Sequence, residues 1–417
     1  MPRSAVFILL FALGLQAQSI SREAEEEMLR DALSVAGGGA AEFISVVEEH
    51  LRKYPDSPRR ADFERGILRA AMDIQDDARI VKYGLKHLEA HPDSADARLL
   101  ENLGRALLKE PGAGNFSKAL AFSTRAEQLL REQEKKDPGP RDRGRVRAEL
   151  DAALGRVILY QARALGQLGK VDEAITAARR SFAANPSAEA SREAAHWLEK
   201  AGKLDEAISA LADAFVLNEA GIADVTRAQD RLRMAELYRK VHGASKGLGD
   251  EILAAYDRAQ ITAASRLNRL RAIDPNAGLT NPMEFTLSSL SGQPLQLSTL
   301  RGKVVVMDFW ATWCAPCRAQ RPLFDEVKRK FAGRDDVVFL AVNTDEDRSV
   351  VPGFVEAQKW DLPVYFEDGL GRLLRISSIP TTVVFSRKGE VLARLNGFVP
   401  DRFVETLTDR IHAALAQ

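Results

Sequence analysis

Only two cysteines occur in 417 residues, and they stand three apart as Cys314-Ala315-Pro316-Cys317. Two thiols at that spacing can close a disulfide and reopen it by exchange with another, provided one sulfur is nucleophilic. The flanking sequence supplies the means. Val304 to Phe309 is a β-branched run of the kind buried in mid-sheet, and Arg318 to Phe331 has helical periodicity. The pair therefore falls at a strand-to-helix turn, where free backbone N–H groups and the positive end of the helix dipole favour thiolate at the first cysteine. Cys314 is expected to be exposed and nucleophilic, with a pKa below the free-thiol value of about 8.5. Cys317, one turn into the helix, is expected to be buried and able to close the disulfide.

A zinc site would need about four ligands, and the histidines are scattered at 50, 87, 91, 196, 242 and 412. Arg318 rather than histidine follows Cys317, which removes covalent haem attachment. The expected chemistry is carried by the cysteine pair, with no metal and no cofactor.

The chain is 45% hydrophobic and 28% charged, enough for two or three domains with cores of their own. Lys+Arg and Asp+Glu balance at 59 each, so overall charge gives no reason to expect a nucleic-acid partner. Met1-Pro2-Arg3, the apolar run Ala5 to Leu15 and then Gln16-Ala17-Gln18 have the layout of a secretory signal over residues 1–18, with cleavage near Ala17. An uncleaved membrane anchor is the alternative, although the run is shorter than the roughly 20 residues needed to span a bilayer. No cysteine lies near the cut to carry a lipid. Export to the periplasm or another extracytoplasmic space is expected. In such an oxidising compartment two cysteines are too few to staple a scaffold, which favours a catalytic pair.

Residues 22–273 read as helix after helix, broken at proline-led turns such as Tyr54-Pro55-Asp56-Ser57 and His91-Pro92-Asp93-Ser94. Leu168-Gly169-Lys170-Val171-Asp172-Glu173-Ala174-Ile175 is echoed by Ala201-Gly202-Lys203-Leu204-Asp205-Glu206-Ala207-Ile208, about 33 residues on. Gly169 and Gly202 suit tight turns between paired helices, and Ala174 and Ala207 let those helices approach. A weaker third copy is Gly114 to Leu120. The region resembles tetratricopeptide repeats, whose stacked pairs leave a concave face for a protein or peptide; a helical spacer is the alternative. Lys135 to Gly144, charged and Pro/Gly-rich, reads as an exposed loop.

Asp274 to Pro282 has linker composition, and beyond it the periodicity shifts toward 2. A hairpin is expected from Glu284–Leu287 and Leu295–Leu297. Strands follow at 304–309, 337–342, 364–366, 379–385 and 391–395, with helices after Cys317, from about Val350 to Trp360, and last from a cap at Asp401. This is an α/β sheet with helices on both faces.

From residue 283 to 417 the sequence resembles the thioredoxin superfamily. Leu300-Arg301-Gly302-Lys303-Val304 leading into Asp308-Phe309-Trp310-Ala311-Thr312-Trp313-Cys314-Ala315-Pro316-Cys317 is similar to the extracytoplasmic reductases grouped with TlpA and ResA. The resemblance implies an α/β thioredoxin fold, attack on a substrate disulfide by Cys314, resolution by Cys317, and a cis-proline at Pro380 facing the pair. A cis bond there would turn the backbone of Ile379 outward to hydrogen-bond an extended substrate. Trp313 is expected to shield the disulfide and Trp310 to pack. With Ile379, the residues Trp313, Ala315 and Pro316 form the expected substrate-binding surface.

Asp308 matches the buried aspartate of thioredoxins, where the TlpA-like group often has asparagine; buried, it would have a raised pKa and could accept the proton of Cys317. Gln320 stands where many of those reductases place an acid, so the base work rests on Asp308.

The sequence thus reads as an exported reductase of protein disulfides, kept reduced by a membrane-borne thiol donor. Two alternatives stay open: an assembly scaffold with an auxiliary redox domain, and a disulfide-forming oxidase.

Overall fold

In the computed structural model, residues 38–136, 143–217 and 224–417 are described, with a few positions between 21 and 34. The expected signal over 1–18 and most of the loop expected at 135–144 lie outside the described residues. Two compact units form. One holds the described residues up to Gln133 together with Ala152–Tyr256, the other Glu134–Asp151 with Asp257–Gln417.

The first unit is all helical. Its described helices are α1 (Ala40–Lys53), α2 (Arg60–Ile74), α3 (Asp77–Ala90), α4 (Ala97–Leu107), α5 (Ala113–Glu134), α6 (Arg143–Gln167), α7 (Val171–Ala184), α8 (Ala188–Lys200), α9 (Leu204–Val216), α10 (Asp224–His242) and α11 (Leu248–Ile273), of which α5, α6 and α11 also supply the second unit. Helix α4 shows why these sequences fold so. The Asp96 side chain accepts from the N–H of Leu99 at 2.7 Å, satisfying an orphan donor of the first turn, and Leu99, Leu100, Leu103 and Leu107 bury one face. Leu99 and Leu103 join Ile44, Ile67 and Ile80 in a core shared by α1 to α4.

The repeated turns are alike. Gly169 has φ +79° and Gly202 φ +74°, and in each case the next residue donates back across the turn, Lys170 to Leu165 and Lys203 to Leu198, both at 2.9 Å. Ala174 and Ala207 are fully buried. A Cβ on Gly166 would meet the Trp197 ring at 1.9 Å, so only glycine allows α6 to pass α8. In the weaker third copy the turn falls at Gly112, and Gly114 to Leu120 already lies inside α5.

The second unit contains a hairpin, β1 (Thr286–Leu287) with β2 (Leu295–Gln296), and a five-stranded sheet. Its strands are β3 (Val304–Trp310), β4 (Val337–Asn343), β5 (Val364–Phe366), β6 (Thr381–Phe385) and β7 (Val391–Asn396), in the order β5-β4-β3-β6-β7. β4 runs parallel to β3 and β5; β6 runs antiparallel to β3 and β7. All seven residues of β3 are buried, because both faces of this central strand are covered. Val304, Val306 and Trp310 meet α12 (Ala315–Lys330), α13 (Val351–Gln358) and α15 (Pro400–Leu415). Val305, Met307 and Phe309 meet the hairpin and the short α14 (Leu370–Leu373). Long helices therefore cover one face only, and the other is closed mainly by the hairpin. The last helix departs from expectation at its start: Val399 is the cap, and Pro400, whose missing N–H costs nothing there, opens the helix in place of an Asp401 cap.

The segment 274–282 carries two buried residues, Asn276 and Ala277. The Asn276 side chain donates to the carbonyls of Thr286 at 2.9 Å and Asp368 at 3.2 Å, and accepts from the N–H of Thr286 at 2.8 Å. Asn276→Ala leaves these backbone groups unpaired, and a loss of about 1–3 kcal/mol is expected. Thermal melts of the two proteins check this; equal midpoints would make the tie dispensable.

Candidate active site

The site grows from the end of β3. Past Trp310 the chain turns and enters α12, whose N-cap is Cys314 and whose first two residues are the exposed Ala315 and Pro316. Proline suits this position because the first-turn N–H groups have no helical partner. Cys314 and Cys317 are joined by a disulfide, S–S 2.03 Å and Cα–Cα 5.3 Å. The Sγ of Cys314 also accepts from the N–H of Cys317 at 3.2 Å, the helix-terminal contact expected of the first cysteine.

Cys317 is 2% exposed and Cys314 only 3%. The expectation of an exposed Cys314 is corrected: joined in the disulfide, it lies in an apolar cluster against which Ile379 packs. Trp313, by contrast, is 71% exposed, while Trp310 is 1% exposed and packs against Phe354 and Trp360 at ring distances of 5.7 and 4.4 Å.

The turn before Cys314 is held from two sides. Asp345, in the loop after β4, accepts from the N–H and Oγ1 of Thr312, both at 2.8 Å, and Arg318 of α12 donates to the Thr312 carbonyl at 3.1 Å. Opposite, the Ile379–Pro380 peptide bond is cis. Pro380 gives its carbonyl to Gly397 at 2.7 Å, and Thr381 Oγ1 donates to Ser378. The N–H and carbonyl of Ile379 take no hydrogen bond from any described residue. A groove of about 870 Å³ opens here, lined by Thr312, Trp313, Glu346, Asp347, Arg372 and Ile379 among others.

Asp308 lies within β3, opposite Thr382 of β6 and on the face covered by α12. It is 3% exposed. Its Oδ1 accepts from Gln320 Nε2 at 2.8 Å and from Thr382 Oγ1 at 3.4 Å. Burial raises its pKa from the ordinary aspartate range to about 7, against the lowering pull of Arg321, Thr382 and Gln320. Gln320 is one helical turn from Cys317, so α12 carries the second cysteine and the partner of the carboxyl on one face.

The structure thus gathers Cys314, Cys317, Trp313, Ala315, Pro316, Ile379 and Pro380 around one turn, while Asp308 on β3 is tied to α12 through Gln320. Sequence reading did not single out Thr382, two residues past the cis-proline, nor Asp345, nor the hydrogen-bonding role of Gln320. A signal existed for Gln320 alone, its i, i+3 spacing from Cys317. Arg321 was also missed; its buried guanidinium lies over the Trp360 ring at 4.4 Å and bonds Asp325 through Nε.

Residues 280–394 match the AhpC/TSA family. The chain is similar to the thiol-disulfide oxidoreductase ResA of Geobacillus kaustophilus, 32% identical over 130 residues, which is 31% of this chain and 74% of that protein. It is also similar to the thioredoxin-like protein YneN of Bacillus subtilis, 30% identical over 112 residues, 26% of this chain and 65% of the relative. The chain thus spans about two thirds to three quarters of the length of these curated relatives. Among solved structures it aligns with StoA from Bacillus subtilis at 25% identity and a TM-score of 0.28, covering 32% of this chain and 98% of that one.

The sheet order, the disulfide at the head of α12 and the two curated relatives put the C-terminal unit in the thioredoxin-like class. More narrowly, the chain belongs to the family of thiol–disulfide oxidoreductases that includes ResA. The fold as a whole is a thioredoxin-like α/β domain preceded by an all-helical array.

Proposed function

We propose that the protein is an exported reductase of disulfides in protein substrates, working through Cys314 and Cys317 without a bound cofactor. The observation that carries this reading is the unpaired main chain of Ile379 beside the cysteine pair, at the wall of an open groove. An extended peptide can pair with Ile379 as an added strand, which sets its disulfide against Cys314; a small thiol would have no use for such an edge. The thiolate of Cys314 attacks one substrate sulfur, forming a mixed disulfide and releasing the other as thiolate. Cys317 then gives its proton to Asp308 and attacks Cys314 Sγ. The Cys314–Cys317 bond forms, the mixed disulfide breaks, and the substrate leaves with both sulfurs reduced. Two electrons have passed to the substrate, and a membrane-borne dithiol restores them.

The catalytic domain is assigned to 283–417, the linker to 274–282 and a tetratricopeptide-like array to 22–273. The matching turns at Gly169 and Gly202 support that reading of the array, which would hold a protein partner. No helix among the described residues is long and apolar enough to cross a membrane.

Direction of electron flow is the test. Strong oxidants of this superfamily stabilise their thiolate with the residues between the cysteines, and Ala315 and Pro316 offer neither charge nor side-chain donor. The reduction potential is therefore expected near thioredoxin's, about −270 mV, rather than the roughly −120 mV of DsbA. Equilibration in glutathione buffers measures it. A value more positive than about −160 mV would overturn the reductase reading in favour of disulfide formation.

A further inference from the structure

Gln320 is fully buried, and only one end of its amide is used. Nε2 donates to Asp308 at 2.8 Å and to Thr382 Oγ1 at 3.3 Å. Oε1 accepts no hydrogen bond from any described residue. A carbonyl oxygen buried without a donor costs about 1–3 kcal/mol, a cost that a donor arising in another state of the protein would remove. While Asp308 is ionised the amide cannot turn to relieve it, because Oε1 would then face the carboxylate with no proton between the two acceptors.

Opening the disulfide creates one new donor on the same face of α12. Reduction leaves Cys317, one helical turn before Gln320 on α12, with an S–H that the oxidised protein does not have. Cys317 is 2% exposed, which leaves its thiol little water to bond. The other helix over this face, α15, brings Phe403, Leu407 and Ile411 to the cluster that holds Cys317, none of which can accept, and the polar neighbours Asp308 and Thr382 Oγ1 are already bonded to the NH₂ end of the amide.

We propose that Gln320 is a redox-linked positioning residue: in the reduced protein its Oε1 takes the hydrogen bond of the Cys317 thiol while its NH₂ holds Asp308. One amide then holds thiol and carboxyl side by side; when Cys317 is deprotonated, its S–H leaves Oε1 and gives the proton to Asp308 directly. The bond exists only in the reduced state, so it also biases the cysteine pair toward reduction. This role rests on the reading of Cys317 as the resolving thiol.

The S–H stretching band in the infrared reads the bond directly. In reduced full-length Cys314→Ser protein the single remaining thiol is expected to absorb at the lowered frequency of a hydrogen-bonded S–H. Adding Gln320→Met, close in shape but without a strong acceptor, should return the band to the free-thiol position; adding Gln320→Glu, which keeps an oxygen there, should leave it lowered. In the protein with both cysteines, Gln320→Met should reduce the equilibrium constant for reduction by glutathione about tenfold, a potential about 30 mV more negative. A free-thiol band with Gln320 present overturns the proposal and needs no substitution at Gln320. So does a lowered band that persists in Gln320→Met, since the acceptor would then be another group. Either failure in a protein that still reduces disulfides leaves the reductase reading intact. A lowered band in a protein that does not reduce them refutes only that reading.

Discussion

Asparagine in place of Asp308 is expected to slow closure of the Cys314–Cys317 bond by about a hundredfold at pH 8, with the initial attack by Cys314 nearly unchanged. The buried carboxyl titrates at about 7, so it is protonated and useless as a base below that pH and ionised above it. Resolution of the mixed disulfide should therefore accelerate through pH 7 in the parent protein. In the variant the rise should move to the thiol's own titration, above about 8.5. Single-turnover kinetics on a chromogenic disulfide separates the two steps; an unshifted profile would leave Asp308 a structural role. Stability supplies a second reading of the same group. Its folded pKa lies above its unfolded one, so the folded protein keeps a proton that the unfolded chain releases between about pH 4 and pH 7. Stability is then lost as pH rises across that window, by up to roughly 4 kcal/mol. The asparagine variant should lack this loss and should be the more stable protein at pH 8, with the advantage gone near pH 3.

The two cysteines should fail in opposite ways. Cys314→Ser removes the attacking sulfur, and turnover should fall by four orders of magnitude or more, roughly the loss on removing a covalent nucleophile. Cys317→Ser should keep the first step and stop at the second, because no thiol remains to release the substrate. Mixed disulfides should accumulate in that variant and show on non-reducing gels, and their mass identifies what the groove accepts. Adducts on Cys317 in the Cys314→Ser protein, at comparable rates, would reverse the assignment of attacker and resolver.

What sequence could reveal divides along physical lines. The pair, the strand before it and the helix after it are local, and the run 304–309, the Cys-X-X-Cys spacing and the apolar period of 318–331 located all three. The cis bond at Pro380 came by resemblance, since nothing in Ser-Ile-Pro-Thr distinguishes it from an ordinary X–Pro. Long-range partners were out of reach: Thr382 meets Asp308 only because β6 pairs with β3 in one register, and Asp345 meets Thr312 across 33 residues of chain. Cys314 was misjudged because its burial depends on an apolar cluster built by residues from several strands and from the last helix, far apart in the chain. Asn276 looked like part of a polar linker for a similar reason, as its partners lie 10 and 92 residues away.

The clamp on Thr312 bears on speed. Asp345 grips its N–H and hydroxyl while Arg318 grips its carbonyl, so the backbone leading to Cys314 is tied down by groups that neither gain nor lose electrons. Opening the disulfide is then expected to free side-chain torsions at two sulfurs while the main chain leading to Cys314 keeps its place. Little of the scaffold has to be rebuilt between successive electron transfers, and the reorganisation barrier is confined to the sulfur atoms that exchange partners.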